Sequence, residues 1–314
     1  MADEFEIRDL GRERVLVVNG NAHRTHYSER VIRMLVERKG PRRAPPYFTY
    51  KQTRGHHFLD RLFAYLAARG APPLRVLEVA CSFGHITEYL NEQPGVAGID
   101  TFDVDRPFVE ITRTKVRELP LGKVRQVLHL TDEETTRLPF ADGAFDLVLA
   151  LAIVEHLPAR DRRRYVDEYY RVLAPGGHIV ILDTPNRRFP LETHSVGLPG
   201  IQWLPAPLAY RYARLARPGR VRGVGFAEFD AGAWRNASFR ECLPSSGPAG
   251  LVDVTEEAGY GWRFFRETAR SRTRRSLLPL FRVACGALTA LGQPPSLALP
   301  YFNLLFRKAD QPRR

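Results

Sequence analysis

At 314 residues, with 44% hydrophobic and 26% charged residues, the chain has the ordinary composition of a folded protein and the length for one full α/β domain with additions, which excludes a disordered or fibrous chain. Its three cysteines, Cys81, Cys242 and Cys285, are odd in number and far apart, which argues against a disulfide framework or a cysteine-built zinc site, so no metal is expected. The net charge of +12, carried mostly by arginine, suits a nucleic acid, an anionic membrane surface or a phosphorylated substrate, and equally suits arginines that only solvate helix faces at 160–164, 211–222 and 263–275.

The first residues, MADEFEIRDL, are acidic and lack the apolar run of a secretory signal, so a cytoplasmic location is expected. A short strand over 13–19 and a helix over 29–37 precede a basic, proline-rich loop over 39–53. A helix over 56–69 places Phe58, Leu59, Leu62, Phe63 and Leu66 on one face and stops at Gly70. Leu74, Val76, Leu77 and Val79 then suit a strand buried on both faces, ending beside the acid Glu78. Small Ala80 and Ser82, with Gly84, let a ligand approach the backbone before the next helix opens.

Strands over 98–103, 127–130, 145–151 and 178–182 alternate with helices over 107–118 and around Tyr165, Val166, Tyr169, Val172 and Leu173, the last stopped by Pro175-Gly176-Gly177. That alternation predicts a doubly wound parallel sheet with helices on both faces. Residues 187–207, rich in proline and aromatics, read as a lid-like insertion over the sheet end. A helix over 277–291 between strands over 251–255 and 301–306 ends the reading. The apolar stretch 276–306 is broken by Pro279, Arg282, Pro294, Pro295 and Pro300, so it is not expected to span a membrane. Packing beneath the last strand is its preferred reading; an amphipathic surface for a membrane or a lipid-linked acceptor is the competitor.

The segment RVLEVACSFGHITEYL resembles motif I of the class I S-adenosylmethionine-dependent methyltransferases, where an acidic strand end precedes a Gly-x-Gly-x-Gly turn. Here Ala80 and Ser82 replace two glycines, which disfavours positive φ at both positions. The resemblance implies a Rossmann-like fold, a seven-stranded mostly parallel sheet with a reversed last strand, and S-adenosylmethionine (SAM) as cofactor. It puts Glu78, Ala80, Cys81, Ser82 and Gly84 around the cofactor turn. It also puts Asp103, with Val104 beside it, where a carboxylate accepts both ribose hydroxyls; Asp100 and Asp105 are nearby competitors.

TRLPFADGAFDLVLALAIVEHLP resembles the family's LPF segment, its Phe-Asp strand and the Glu-His pair that follows. The resemblance implies that either Asp132 or Glu134 meets the adenine amino group and that Leu151 lies near the methionine part of the cofactor. RVLAPGGHIVILDTPN and LLFRK resemble the remaining framework, so the likeness covers about 53–186.

A sulfonium is already a strong methyl donor, so the protein has only to align a nucleophile and, for a hydroxyl, remove its proton. Bases are therefore expected after the fourth and fifth strands, where Glu155, His156, Asp183 and His194 stand. His156 and Asp183 are the pair implied by resemblance to natural-product sugar O-methyltransferases, with the near-neutral pKa of histidine as the argument for His156. The bland reading of the Glu-His pair is a carboxylate at a helix start with a histidine packed beside it. Asn186 is expected to fix the TPNR turn, and Trp203, Trp234, Trp262 and Phe189 to anchor loops.

The expected organisation is an N-terminal extension over 1–52, a SAM-binding core over 53–186, an insertion over 187–250 that meets the acceptor, and completion of the sheet over 251–314. The expected activity is SAM-dependent O-methylation of a small-molecule, glycan or lipid-like acceptor, with peripheral membrane association left open. The alternatives are an RNA methyltransferase and a SAM-fold protein that binds without catalysis. Nucleic acid is disfavoured by the lack of an Asn-Pro-Pro-Tyr type motif, of paired catalytic cysteines and of a recognisable RNA-binding module.

Overall fold

The computed structural model describes residues 4–310. Strands β1 (Phe5–Asp9), β2 (Arg14–Val18) and β3 (Asn21–Thr25) form an antiparallel sheet in that order. Only β2 was legible, because its Val15, Leu16 and Val18 are buried while β1 and β3 are largely exposed and polar. Helix α1 (Glu29–Lys39) starts at Ser28, whose hydroxyl accepts the Val31 N–H at 3.2 Å. Its Val31, Ile32, Leu35 and Val36 pack with Leu16, Val18, Phe48, Phe83 and Ile111.

The loop expected over 39–53 is wound instead. A 3₁₀ turn over Pro45–Thr49 leads into a π-helix over Lys51–His56, which runs into α2 (His57–Ala68). The proline pair sets the first turn, and Gly55 lets the π-helix lie against the Tyr89 ring, 2.9 Å from where a Cβ would sit.

Strands β4 (Leu74–Val79), β5 (Val96–Asp103) and β6 (Val124–His129) pair in parallel, linked by α3 (His85–Glu92) and α4 (Arg106–Glu118). Nearly every residue of β4 and β5 is buried, which accounts for Leu74, Val76, Leu77 and Val79 in β4, while β5 also buries Asp100, Thr101 and Asp103. Between α3 and α4 lies a buried ion pair, Lys115 Nζ to Glu88 Oε1 at 2.7 Å, to which the Tyr27 hydroxyl donates at 2.8 Å.

The chain divides into two compact units after Glu134. The second unit carries β7 (Phe145–Leu151), α5 (Arg162–Val172), β8 (Leu173–Pro185), α6 (Ala206–Ala216), α7 (Phe226–Ala231), β9 (Leu251–Asp253), α8 (Gly261–Thr268), α9 (Arg272–Ala290) and β10 (Tyr301–Lys308). The large sheet has the order β6-β5-β4-β7-β8-β10-β9. β10 runs antiparallel to both β8 and β9, which is the reversed strand anticipated from LLFRK.

Two readings need correction. Pro175-Gly176-Gly177 does not separate α5 from its strand: Leu173 already pairs with Phe145, and the register then jumps to His178 opposite Leu147, so the three residues form a bulge inside β8. Gly176, at φ 74°, supplies the left-handed residue the bulge needs. Within 187–250, α6 and α7 bury Ala209, Ala213 and Phe229 with Trp234 and Ile201. Helix α9 is also not a core helix. Phe281, Leu278 and Cys285 pack on Phe265 and Leu299, while Leu280, Val283 and Leu291 are exposed. Among the described residues no helix is long and apolar enough to cross a membrane.

Candidate cofactor turn and histidine cluster

The turn after β4 adopts the conformation its sequence disfavours. Ala80 (φ 60°), Ser82 (φ 49°) and Gly84 (φ 77°) are all left-handed, and each of the two non-glycines bears a cost of about 1–2 kcal/mol. Main-chain bonds hold this arrangement: the N–H of Cys81 donates to Phe102 O at 2.9 Å and that of Gly84 to Cys81 O at 2.8 Å. The Thr112 hydroxyl donates to Ser82 O at 3.0 Å, and a Cβ on Gly84 would lie 3.0 Å from the same threonine. Cys81 packs with Val109 and Val127, where burial pushes its thiol up, so only its main chain faces the turn.

Of the three acids near the end of β5, Asp103 is the one joined to this turn. Its Oδ2 accepts the Ser82 N–H at 2.7 Å and its Oδ1 the Asp105 N–H at 2.9 Å; burial raises its pKa against those bonds. Asp105 caps α4 by accepting the Phe108 N–H at 3.2 Å, and is paired with Arg38. Asp100 is buried, with Arg125 at 3.8 Å. Val104 is exposed beside Asp103. Glu78 lies beneath the turn, where its carboxylate accepts the Thr87 hydroxyl at 2.6 Å, and burial pushes its pKa up to about 8 despite bonds from Thr87 and Thr101. It ties β4 to α3.

After β6, the carboxylate of Glu134 closes its own turn by accepting the Thr131 N–H at 2.7 Å, while Asp132 is exposed nearby. His85, which opens α3, escaped the sequence reading. Its fully buried ring stacks on Phe83 with centroids 4.6 Å apart, and burial, Lys115 and Arg54 push it well below the usual histidine range.

In the second unit, Leu151 ends β7, Ala152 turns the chain at φ 52°, and Val154–His156 form a 3₁₀ turn. This places Glu155 inside and His156 at the surface. His156 Nε2 stands 3.1 Å from His194 Nε2, with Glu155 Oε1 at 4.0 Å from the first and 3.9 Å from the second. The partner found for His156 is thus the histidine 38 residues on. Although half of its side chain is exposed, desolvation by the surrounding protein, then His194 and Arg162, push its pKa down to about 4. That direction runs against the near-neutral value on which the sequence argument for His156 rests.

Both segments of the cluster are braced. Arg162, 2% exposed, donates to the carbonyls of Glu155 at 3.0 Å, Leu157 at 3.2 Å and Asn236 at 2.7 Å, and reaches Glu241 Oε2 at 3.3 Å. Buried Glu192 accepts four main-chain N–H groups: His194 and Ser195 at 2.6 Å, Val196 and Gly197 at 2.9 Å. Four donors on one carboxylate make a stiff loop under His194. Neither residue was found from sequence, because only folding brings their partners within reach. Asp183 has φ 53° and sits where the β8–β10 register shifts, its N–H donating to Asn303 Oδ1 at 2.9 Å; such a bulge re-aims a side chain.

Asn186 fixes its turn as expected, donating to the carbonyls of Leu297 at 3.1 Å and Leu299 at 2.8 Å and accepting the Arg188 N–H at 2.9 Å. Trp234 is buried against Phe229, and Trp262 packs beside Phe265. Trp203, exposed, donates to Arg187 O at 2.7 Å.

The model of a methyltransferase domain family matches residues 77–181, from inside β4 to inside β8, and a seven-stranded, mostly parallel sheet with β10 reversed is what the resemblance implied. Over those residues the chain is similar to the class I SAM-dependent methyltransferases. Its cofactor is SAM. A ubiquinone/menaquinone biosynthesis C-methyltransferase of Geotalea daltonii is 31% identical over 43% of this chain and 55% of its own length. A probable tRNA methyltransferase 9B of Bos taurus is 27% identical over 58% of this chain and 36% of its own. The match thus spans about a third to somewhat over half of these curated relatives. A solved SAM-dependent methyltransferase of Aquifex aeolicus is 20% identical, with a TM-score of 0.37, over 52% of this chain and 84% of that one.

Proposed function

We propose that this methyltransferase methylates a hydroxyl oxygen of a small-molecule, glycan or lipid-like acceptor. The observation that carries the reading is the braced cluster of His156, His194 and Glu155 directly after β7. SAM supplies a sulfonium methyl that needs only an aligned nucleophile. In this reading Asp103 accepts the ribose hydroxyls, since its two oxygens each take one main-chain N–H and a carboxylate offers about four acceptor sites. Ala80, Ser82 and Gly84 present their main chain, Asp132 accepts from adenine, and Val104 and Leu151 give apolar contact. His156, neutral at pH 7, accepts a hydrogen bond from the acceptor hydroxyl and orients it, with Asp183 as a second acceptor of its proton. The exposed Leu280 and Val283 on α9, with exposed Arg272, Arg274 and Arg275 in the first turn of the same helix, favour a lipid-like acceptor at a membrane surface among the three classes.

A second reading has its own observation: three relatives are named as probable tRNA methyltransferase 9B, and the net charge is +12. Incubation with methyl-labelled SAM and cell extract, separated into polar, lipid and RNA fractions, decides between them. We expect label on oxygen in the lipid or polar fraction, SAM binding about 10–100-fold weaker in Asp103→Ala from loss of a charged acceptor, and binding abolished in Gly84→Arg. Label in RNA or on carbon, or unchanged SAM binding in both variants, overturns this reading.

A further inference from the structure

The residue types of the cluster are those of a metal centre. Two imidazoles and one carboxylate are the donors of many catalytic divalent-cation sites, which keep further coordination positions open for substrate. All three donor atoms face one another within 4.8 Å, and they come from two separately braced segments. The triangle they form has sides of 3.1, 3.9 and 4.0 Å. A point in its plane is equidistant from all three atoms at about 2.15 Å, within about 0.2 Å of zinc–nitrogen and zinc–oxygen bond lengths. A hydrogen bond between two neutral histidines accounts for the 3.1 Å contact alone. It does not explain why Glu155 Oε1 lies almost equally far from both nitrogens.

We propose that Glu155, His156 and His194 bind one divalent cation of the zinc or cobalt class, with open positions that take the acceptor oxygens. The site is reachable from solvent, because about half of the His156 side chain and a quarter of His194 are exposed. Bound there, the cation polarises an acceptor hydroxyl and lowers its pKa, the task otherwise left to a histidine. The proposal rests on reading this cluster as the acceptor site.

The test uses the full chain, stripped with a chelator, dialysed, and titrated with Co²⁺ and Zn²⁺ by calorimetry and by Co²⁺ absorption. One equivalent should bind, with the visible spectrum of a low-coordinate Co²⁺ site. Binding should weaken at least about 100-fold in His194→Ala and in Glu155→Gln, while SAM affinity, which reports the fold of the variants, stays within about twofold. No stoichiometric binding to the parent chain overturns the proposal, as does binding that survives in a His156→Ala, His194→Ala double variant. Methyl transfer to oxygen that proceeds without any cation binding sinks the metal site and leaves the O-methylation reading standing. Stoichiometric cation binding at these residues without oxygen methylation does the reverse.

Discussion

Replacing Lys115 with methionine should destabilise the first unit by about 3–5 kcal/mol at pH 7. Lys115 is fully buried and Glu88 is 2% exposed, so the change leaves a carboxylate in the interior without its cation. Against the desolvation that burial imposes, Lys115 and hydrogen bonds from His26, Lys115 and Tyr27 hold the Glu88 carboxyl down at about 2. Without the ammonium, burial dominates and the carboxyl should rise toward that of Glu78, a buried neighbour without a cation, at about 8. The sign with pH follows. In the parent, this group's contribution is present above its unfolded value near 4.5 and lost as pH falls through about 2. In Lys115→Met the folded pKa is raised, so the penalty is absent below about 4.5 and grows as pH rises through the folded value. The assay is urea unfolding followed by circular dichroism at several pH values, since Trp203, Trp234 and Trp262 all lie in the second unit and their fluorescence does not report the first. Adding Glu88→Gln to Lys115→Met should recover at least about half of the loss, because it removes the unpaired charge. A loss below about 1 kcal/mol, or a double variant no better than Lys115→Met, refutes the reasoning.

Ala80→Gly and Ser82→Gly should each leave stability unchanged or raise it by up to about 1 kcal/mol, the relief of a left-handed conformation being partly offset by the extra freedom of an unfolded glycine. Gly84→Ala should instead cost about 1–3 kcal/mol, from its φ of 77° and the contact with Thr112; thermal unfolding of the three variants checks the opposite signs. Glu78→Gln should match the parent near pH 4 and become progressively more stable than it as pH rises from about 4.5 to about 8, with a limit on the order of 3–5 kcal/mol, because the parent pays to ionise a buried carboxyl over that interval. A pH-independent difference in urea midpoint would contradict this. Glu192→Gln turns one of the two acceptor oxygens into a donor group and so strands two of the four N–H groups, so the amides of 194–197 should lose about 30–100-fold of their protection in hydrogen exchange, and methyl transfer should fall while SAM affinity holds.

The cofactor half of the protein was legible because its information is local. Two-sided burial makes β4 and β7 predominantly apolar, and the acid, small turn and helix around Glu78 to Leu90 follow one another along a single strand-to-helix connection. The sequence by itself therefore determined the parallel sheet and the place of Asp103 at the end of β5, and its resemblance to methyltransferases supplied the reversed last strand. It warned that Ala80 and Ser82 disfavour positive φ, yet only the tertiary structure shows both held there by β5 and by Thr112. The polar edge strands β1 and β3 carry no apolar signal, and the bulge at Pro175 to Gly177 looks locally like a turn. The histidine cluster depended on tertiary structure altogether. His156 and His194 are 38 residues apart, and their meeting rests on Arg162 gripping the carbonyls of one segment and Glu192 the amides of the other. Periodicity and spacing report what neighbours along the chain can do; a site assembled across loops is decided by which buried charges find their hydrogen bonds after the chain has folded.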